Sequence, residues 1–189
     1  MGKIRLSWHF PLRSTDLPRP AATDASTAGG HRYWREVLDL LHQAYNGICA
    51  YSCHWIPYDT GNDTVEHFIP KKRHPRYAYE WSNYRLVCGT LNGRKGEHRD
   101  VLDPFLIKNG DFILKFPSLM VDPSPNLSTT NQNKILLTIE RLGLNDEGTC
   151  LKSRVKWVSD YCDDHISSRC LSRSVFAWYF FGQISMVSN

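Results

Sequence analysis

Glu66, His67, Asn83 and Asn92 are the residues of this chain whose types and spacing could do chemistry. A carboxylate and an amide oxygen are hard donors of the kind that Mg²⁺ or Mn²⁺ prefers. An imidazole near its ordinary pKa of ~6.5 can take a proton from water at neutral pH. The same stretch, residues 65–96, runs into a cluster of cations. Across residues 71–99 eight Lys and Arg side chains stand against two acids, Glu80 and Glu97. The modest net charge of +4 hides that local excess. Positive charge focused on a polar site attracts a polyanion, and a phosphodiester backbone is the natural one.

Each of these residues also has an ordinary reading. Neighbouring strand residues point to opposite faces, so Glu66 and His67 serve one site only if their strand ends or bulges there. Asn92 with Gly93 reads equally as a helix stop. Asn83 reads as a loop tie that bonds main-chain groups, a positioning role rather than a chemical one. Arg94 and Lys95 at a helix end suit the helix dipole as well as a phosphate. Lys71, Lys72 and Arg73 form either a phosphate track or a solvated basic face.

The elements that must hold these residues follow from periodicity and punctuation. Residues 1–30 carry Pro11, Pro18 and Pro20 and end in Ser-Thr-Ala-Gly-Gly, which predicts an irregular arm. Trp34, Val37, Leu38, Leu41 and Tyr45 recur at helical spacing, and Asn46-Gly47 supplies the stop. Residues 48–57 suit a tight hairpin, 64–69 a strand and 70–75 a basic loop. Residues 81–92 read as a helix, with Ser82 or Asn83 as its cap and Gly93 as its end. A short strand is expected over 111–116, and 117–133 is rich enough in Pro, Ser, Thr and Asn to read as a linker. Helices are expected over 134–142 and 151–165, and 171–187 is an apolar segment suited to docking. The domain reading is therefore an arm (1–30), a core (31–116), a linker (117–133) and a helical region (134–189).

A chain of 189 residues with 41% hydrophobic content can bury one good core. The N-terminus shows no secretory signal, and no apolar run is long enough to span a bilayer, so the expectation is a soluble cytoplasmic protein without a membrane partner. The six cysteines then read mainly as reduced thiols rather than as a disulfide framework.

Taken in order, Glu66-His67, Trp81-Ser82-Asn83 and Asn92-Gly-Arg-Lys95-Gly96 resemble the motifs of the HNH, or ββα-metal, endonucleases. Further on, Leu102-Asp103-Pro104-Phe105 and Ile139-Glu-Arg-Leu-Gly-Leu-Asn145 resemble an HNH subgroup. That subgroup includes nuclease subunits of Septu-type and retron-associated antiphage systems. The resemblance covers roughly residues 32–155.

It implies an α+β fold with a ββα-metal core flanked by additional helices. It also implies a metal-dependent endonuclease that hydrolyses DNA or RNA to 5′-phosphate and 3′-hydroxyl ends. His67 would be the general base, Asn83 would fix the loop that aims it, and Glu66 with Asn92 would hold one Mg²⁺ or Mn²⁺. Lys71, Lys72, Arg73, Arg94 and Lys95 would contact the nucleic acid, with His98 and Asp103 as lesser candidates. A P-loop ATPase subunit would be its partner. The family's structural zinc is only partly provided for. Cys49 and Cys53 are spaced one residue wider than usual, and Cys88 stands without its pair because Leu91 takes that place. His54 is the nearby substitute. A chain that kept this scaffold without its chemistry would instead be a nucleic-acid-binding module or an assembly subunit.

Overall fold

The computed structural model describes residues 3–5, 30–60 and 62–163. Helices and two small antiparallel sheets make it an α+β protein. The described residues fall into two compact units, one comprising 30–51, 55–60 and 62–99, the other 3–5, 52–54 and 100–163.

The first unit is organised by helix α1 (Gly30–Ala44). Val37, Leu41 and Tyr45 lie one turn apart and are all buried, so that part of the predicted stripe is core, with Leu38 half-buried beside it. Asn46 and Gly47 both take positive φ, 51° and 69°, and turn the chain out of the helix. Beneath α1 lies a two-stranded sheet, β2 (Asp63–His67) paired antiparallel with β3 (Tyr84–Cys88). In its register Glu66 faces Arg85 and His67 faces Tyr84. Helix α2 (Gly89–Lys95) follows β3 without a loop and packs on both strands.

The helix expected over 81–92 is therefore wrong for most of its length. Trp81–Asn83 form a single 3₁₀ turn and Tyr84–Cys88 are strand. Tyr84, Arg85, Leu86 and Val87 are buried in succession, which requires cover on both faces and defeats a one-sided helical stripe. The Ala50 N–H also donates to the Leu86 carbonyl at 2.8 Å, so β3 is engaged beyond its pairing with β2. The true helix passes through Gly93 and stops at Gly96. There φ 48° and ψ −124° demand a residue without Cβ.

In the second unit β4 (Phe112–Lys115) runs between β1 (Lys3–Arg5) and β5 (Val121–Pro123), antiparallel to both. Helix α3 (Thr129–Leu142) begins at Ser128, whose hydroxyl accepts from the Asn131 N–H, and ends at Gly143 in the left-handed region. Ile135, Ile139 and Leu142 give its buried face, and Phe112, Leu114 and Val121 are buried in the sheet. Asn145 prolongs the edge of β5: its amide oxygen accepts from the Val121 N–H (2.8 Å) and its amide nitrogen donates to the Val121 carbonyl (2.9 Å). Helix α4 (Cys150–Cys162) contributes Arg154, buried and donating to the carbonyls of Leu119 (2.8 Å) and Leu144 (2.6 Å).

The stretch read as a linker thus holds β5 and the first turn of α3, and the Asn145 and Arg154 anchors were not foreseen. Of the expected arm only β1 and Gly30, the first residue of α1, are described. The rest of it and the apolar segment 171–187 lie outside the described residues. No described helix is long and apolar enough to cross a membrane.

Candidate metal and phosphate site

The candidate residues lie where β2 gives way to an excursion, residues 68–83, before the chain returns as β3. Asn83 holds the base of that excursion. Its amide oxygen accepts from the Ile69 N–H at 2.7 Å, and its amide nitrogen donates to the carbonyls of Ile69 (3.0 Å) and Tyr77 (3.1 Å). One buried side chain thereby fixes both arms of the excursion, work that no regular ladder does there.

His67 is the last residue of β2, which meets the geometric condition for sharing a site with Glu66. Its Nε2 lies 3.0 Å from the Ala78 carbonyl, to which the Tyr84 hydroxyl also donates at 2.7 Å. A carbonyl can only accept, so Nε2 carries the hydrogen and Nδ1 is the basic nitrogen of the neutral ring. The edge of the Tyr84 ring packs against the imidazole, with centroids 5.2 Å apart. Burial pushes the His67 pKa below its usual value. The Ala78 bond opposes that shift, and Lys71 and Lys95 add to it. At neutral pH the ring is uncharged, the form a general base needs.

Asn92 sits on α2 and donates through Nδ2 to the Thr64 hydroxyl oxygen at 2.9 Å. Thr64 spends its own hydrogen on the Val87 carbonyl at 2.6 Å, so its oxygen can only accept from Asn92. That chain of donors fixes the amide and turns Oδ1 away from Thr64. Gly93, the next residue, is exposed, and a Cβ built on it would meet nothing within 4 Å.

Glu66 is 1% exposed. Its Oε1 pairs with the Lys95 ammonium at 2.6 Å, and Oε2 accepts from the Tyr51 hydroxyl at 3.3 Å. Burial pushes the Glu66 carboxyl upward, while Lys95, then Arg85 and Tyr51, pull it back. Lys95 is wholly buried and also donates to the carbonyls of Phe68 (3.0 Å) and His67 (3.3 Å). The expected phosphate contact at Lys95 is corrected accordingly: this cation faces inward and completes the core of the site.

Glu66, His67 and Asn92 nevertheless open onto one hollow of about 290 Å³, with Lys71, Lys72 and Glu97 also in its wall. Lys71, Lys72 and Arg73 are exposed. Glu97 bonds Arg73 Nε (3.0 Å) and Lys72 Nζ (3.4 Å), and those bonds hold its carboxyl below the usual range. Arg94 is half-buried on α2. His98 is exposed beyond it, and Asp103 caps a short turn in the second unit through the Phe105 N–H.

Glu66, Asn92 and His67 in the lining of the hollow are the residues that would hold a divalent metal, through a carboxylate, an amide oxygen and an imidazole nitrogen. That donor chemistry suits Mg²⁺ or Mn²⁺, with the condition that Lys95 already neutralises the carboxylate. Cys49 and Cys53 are buried, Cys88 is half-buried, and none of the three forms a disulfide among the described residues. Among the described residues no three His, Cys, Asp or Glu side chains gather as a metal-binding group.

Comparison with known proteins gives one finding of weight. A 69-residue stretch is 32% identical to Septu protein PtuB of Bacillus thuringiensis. The match covers 36% of this chain and 26% of that protein, so the chain spans about a quarter of its relative. No family model matches the chain. The similarity supports a Septu-related protein and goes no further.

Sequence reasoning missed Tyr51, Thr64, Tyr84 and the Ala78 carbonyl, which hold the candidate side chains in place. None of the four carries a motif. The strand register, which brings Tyr84 opposite His67 and Val87 opposite Thr64, could have pointed to Tyr84 and Thr64; Tyr51 and Ala78 lie outside the paired strands and carried no such signal.

Proposed function

We propose that this protein is a metal-dependent endonuclease of the HNH type, acting on DNA or RNA in an antiphage defence complex. The observation that carries this reading is the convergence of Glu66, His67 and Asn92 on one hollow walled by Lys71 and Lys72. The antiparallel pair β2–β3 running straight into α2 supports a ββα-metal core around it.

In this reading Glu66 and Asn92 hold the divalent ion. When bound, the ion supplies charge stabilisation to a phosphodiester during hydrolysis. His67 accepts the proton of the attacking water at Nδ1, its ring held by the Ala78 carbonyl and the Tyr84 edge. Asn83 keeps Ala78 at the right height by bonding Ile69 and Tyr77. Lys71, Lys72 and Arg73 meet the flanking phosphates. Leu136, Leu137 and Val155, exposed apolar residues of α3 and α4, are available to a protein partner. The similarity to Septu protein PtuB supports partner proteins in a defence complex, and an ATPase subunit is the partner proposed for that face.

A second reading has its own observation. The Lys95–Glu66 pair leaves the carboxylate already neutralised, as in a scaffold that binds nucleic acid without cutting it. Incubation with plasmid DNA and with total RNA, each with Mg²⁺ or Mn²⁺ and with the partner present, separates the two. Cleavage that chelation and His67→Ala both abolish supports the nuclease. Salt-sensitive binding without cleavage under either metal supports the scaffold.

A further inference from the structure

The ion pair at the floor of the hollow has a consequence for metal entry. Glu66 presents one negative charge, and Lys95 sits 2.6 Å from it with neither side chain more than 2% exposed. The ammonium is held at three points, by Glu66 Oε1 and by the carbonyls of His67 and Phe68, and lies 5.5 Å from the Phe68 ring. A second buried cation, Arg85, stands opposite Glu66 in the strand register, its guanidinium carbon 5.4 Å from the Phe68 ring centroid. Lys71 and Lys72 add positive charge at the rim. The protein has thus supplied its own cations to the carboxylate that a divalent ion would need. Two like charges cannot share a dry carboxylate without strong repulsion.

We infer that Lys95 is the resident counter-ion of Glu66, and that a divalent metal binds there only by displacing its ammonium. The inference rests on the metal-binding reading above and names how that site is regulated. Metal affinity in the free protein is then low. A nucleic-acid phosphate raises it by balancing the added charge, so metal and substrate bind cooperatively. A metallated enzyme without substrate is the species this arrangement disfavours.

The test is Mn²⁺ binding measured by calorimetry on the intact protein without nucleic acid, comparing wild type with Lys95→Gln. The glutamine removes the charge while leaving a donor for the Glu66 carboxylate. The expected result is affinity at least ~10-fold tighter in Lys95→Gln, the size of one charge-assisted hydrogen bond. Equal affinity in the two proteins overturns the inference and leaves the metal site standing. Absence of binding in both overturns the metal site as well, a distinguishable outcome.

Should Lys95→Gln fail to fold, the wild-type ammonium can be followed directly by ¹⁵N NMR during a Mg²⁺ titration. A buried, hydrogen-bonded Lys95 resonance that disappears as Mg²⁺ binds supports displacement. One that persists unchanged at saturation refutes it.

Discussion

Replacing Asn83 with Ala removes three hydrogen bonds at once, to the Ile69 N–H, the Ile69 carbonyl and the Tyr77 carbonyl. A net ~1 kcal/mol for each predicts a loss of about 3 kcal/mol, less whatever water recovers on entering the vacated space. The loss falls first on the excursion rather than on the sheet, because Leu86 and Val87 keep their own burial and pairing. Two measurements follow: urea unfolding, and native-state hydrogen exchange at the Ile69 amide compared with Leu86. The expected outcome is an Ile69 amide that exchanges much faster in a protein about 2–4 kcal/mol less stable. Asn83→Asp sharpens the argument, since it keeps the acceptor for Ile69 and loses both donated bonds while facing a carboxylate to two carbonyls. An alanine variant within ~0.5 kcal/mol of wild type, with Ile69 still protected, would refute the reasoning.

Other perturbations have equally definite outcomes. His67→Ala is expected to abolish metal-dependent cleavage with an unchanged circular-dichroism spectrum; retained cleavage removes His67 from the mechanism. Because burial lowers the His67 pKa, cleavage is expected to hold level through neutrality and to fall only as pH drops below ~6.5. An inflection above that value contradicts the assignment. His54 is held down to about 4, first by burial and then by Arg154, so the unfolded chain takes up its proton before the folded one does. Stability should therefore fall by roughly 3 kcal/mol as pH drops from ~6.5 towards 4, and His54→Leu should flatten that limb in denaturant melts. Glu97→Gln frees Lys72 and Arg73 and is expected to tighten nucleic-acid binding a few-fold in a low-salt titration; weaker binding would place Glu97 on the attractive side.

Much of the candidate site was legible because it is built from polar residues that cluster within one short stretch of sequence. Glu66, His67, Asn83 and Asn92 announce themselves by type and order. Lys95 does not, because an exposed lysine and a buried one are written identically. Only the packing of α2 against β2 decides that its ammonium turns towards Glu66. The helix expected over 81–92 failed for a related reason. Tyr84–Val87 is buried at every position, the charged Arg85 included, so it offers no alternation to read, and its pairing with β2 outweighed the local capping signals at Ser82 and Asn83. Helix α1 and the end of α3 were readable because long stripes and a left-handed glycine are local features.

Gly93 turns the outer surface of α2 into a ruler. The residue is helical and exposed, and a Cβ built there meets nothing within 4 Å, so Ala, Ser or Val at that point adds a side chain of known length on the outer surface. Alanine should also strengthen the short helix by roughly 0.5–1 kcal/mol, which separates any loss of binding from a loss of folding. A graded decline in nucleic-acid affinity from Ala to Val would measure, in single carbon–carbon bonds, how closely a backbone passes over the helix between Asn92 and Arg94.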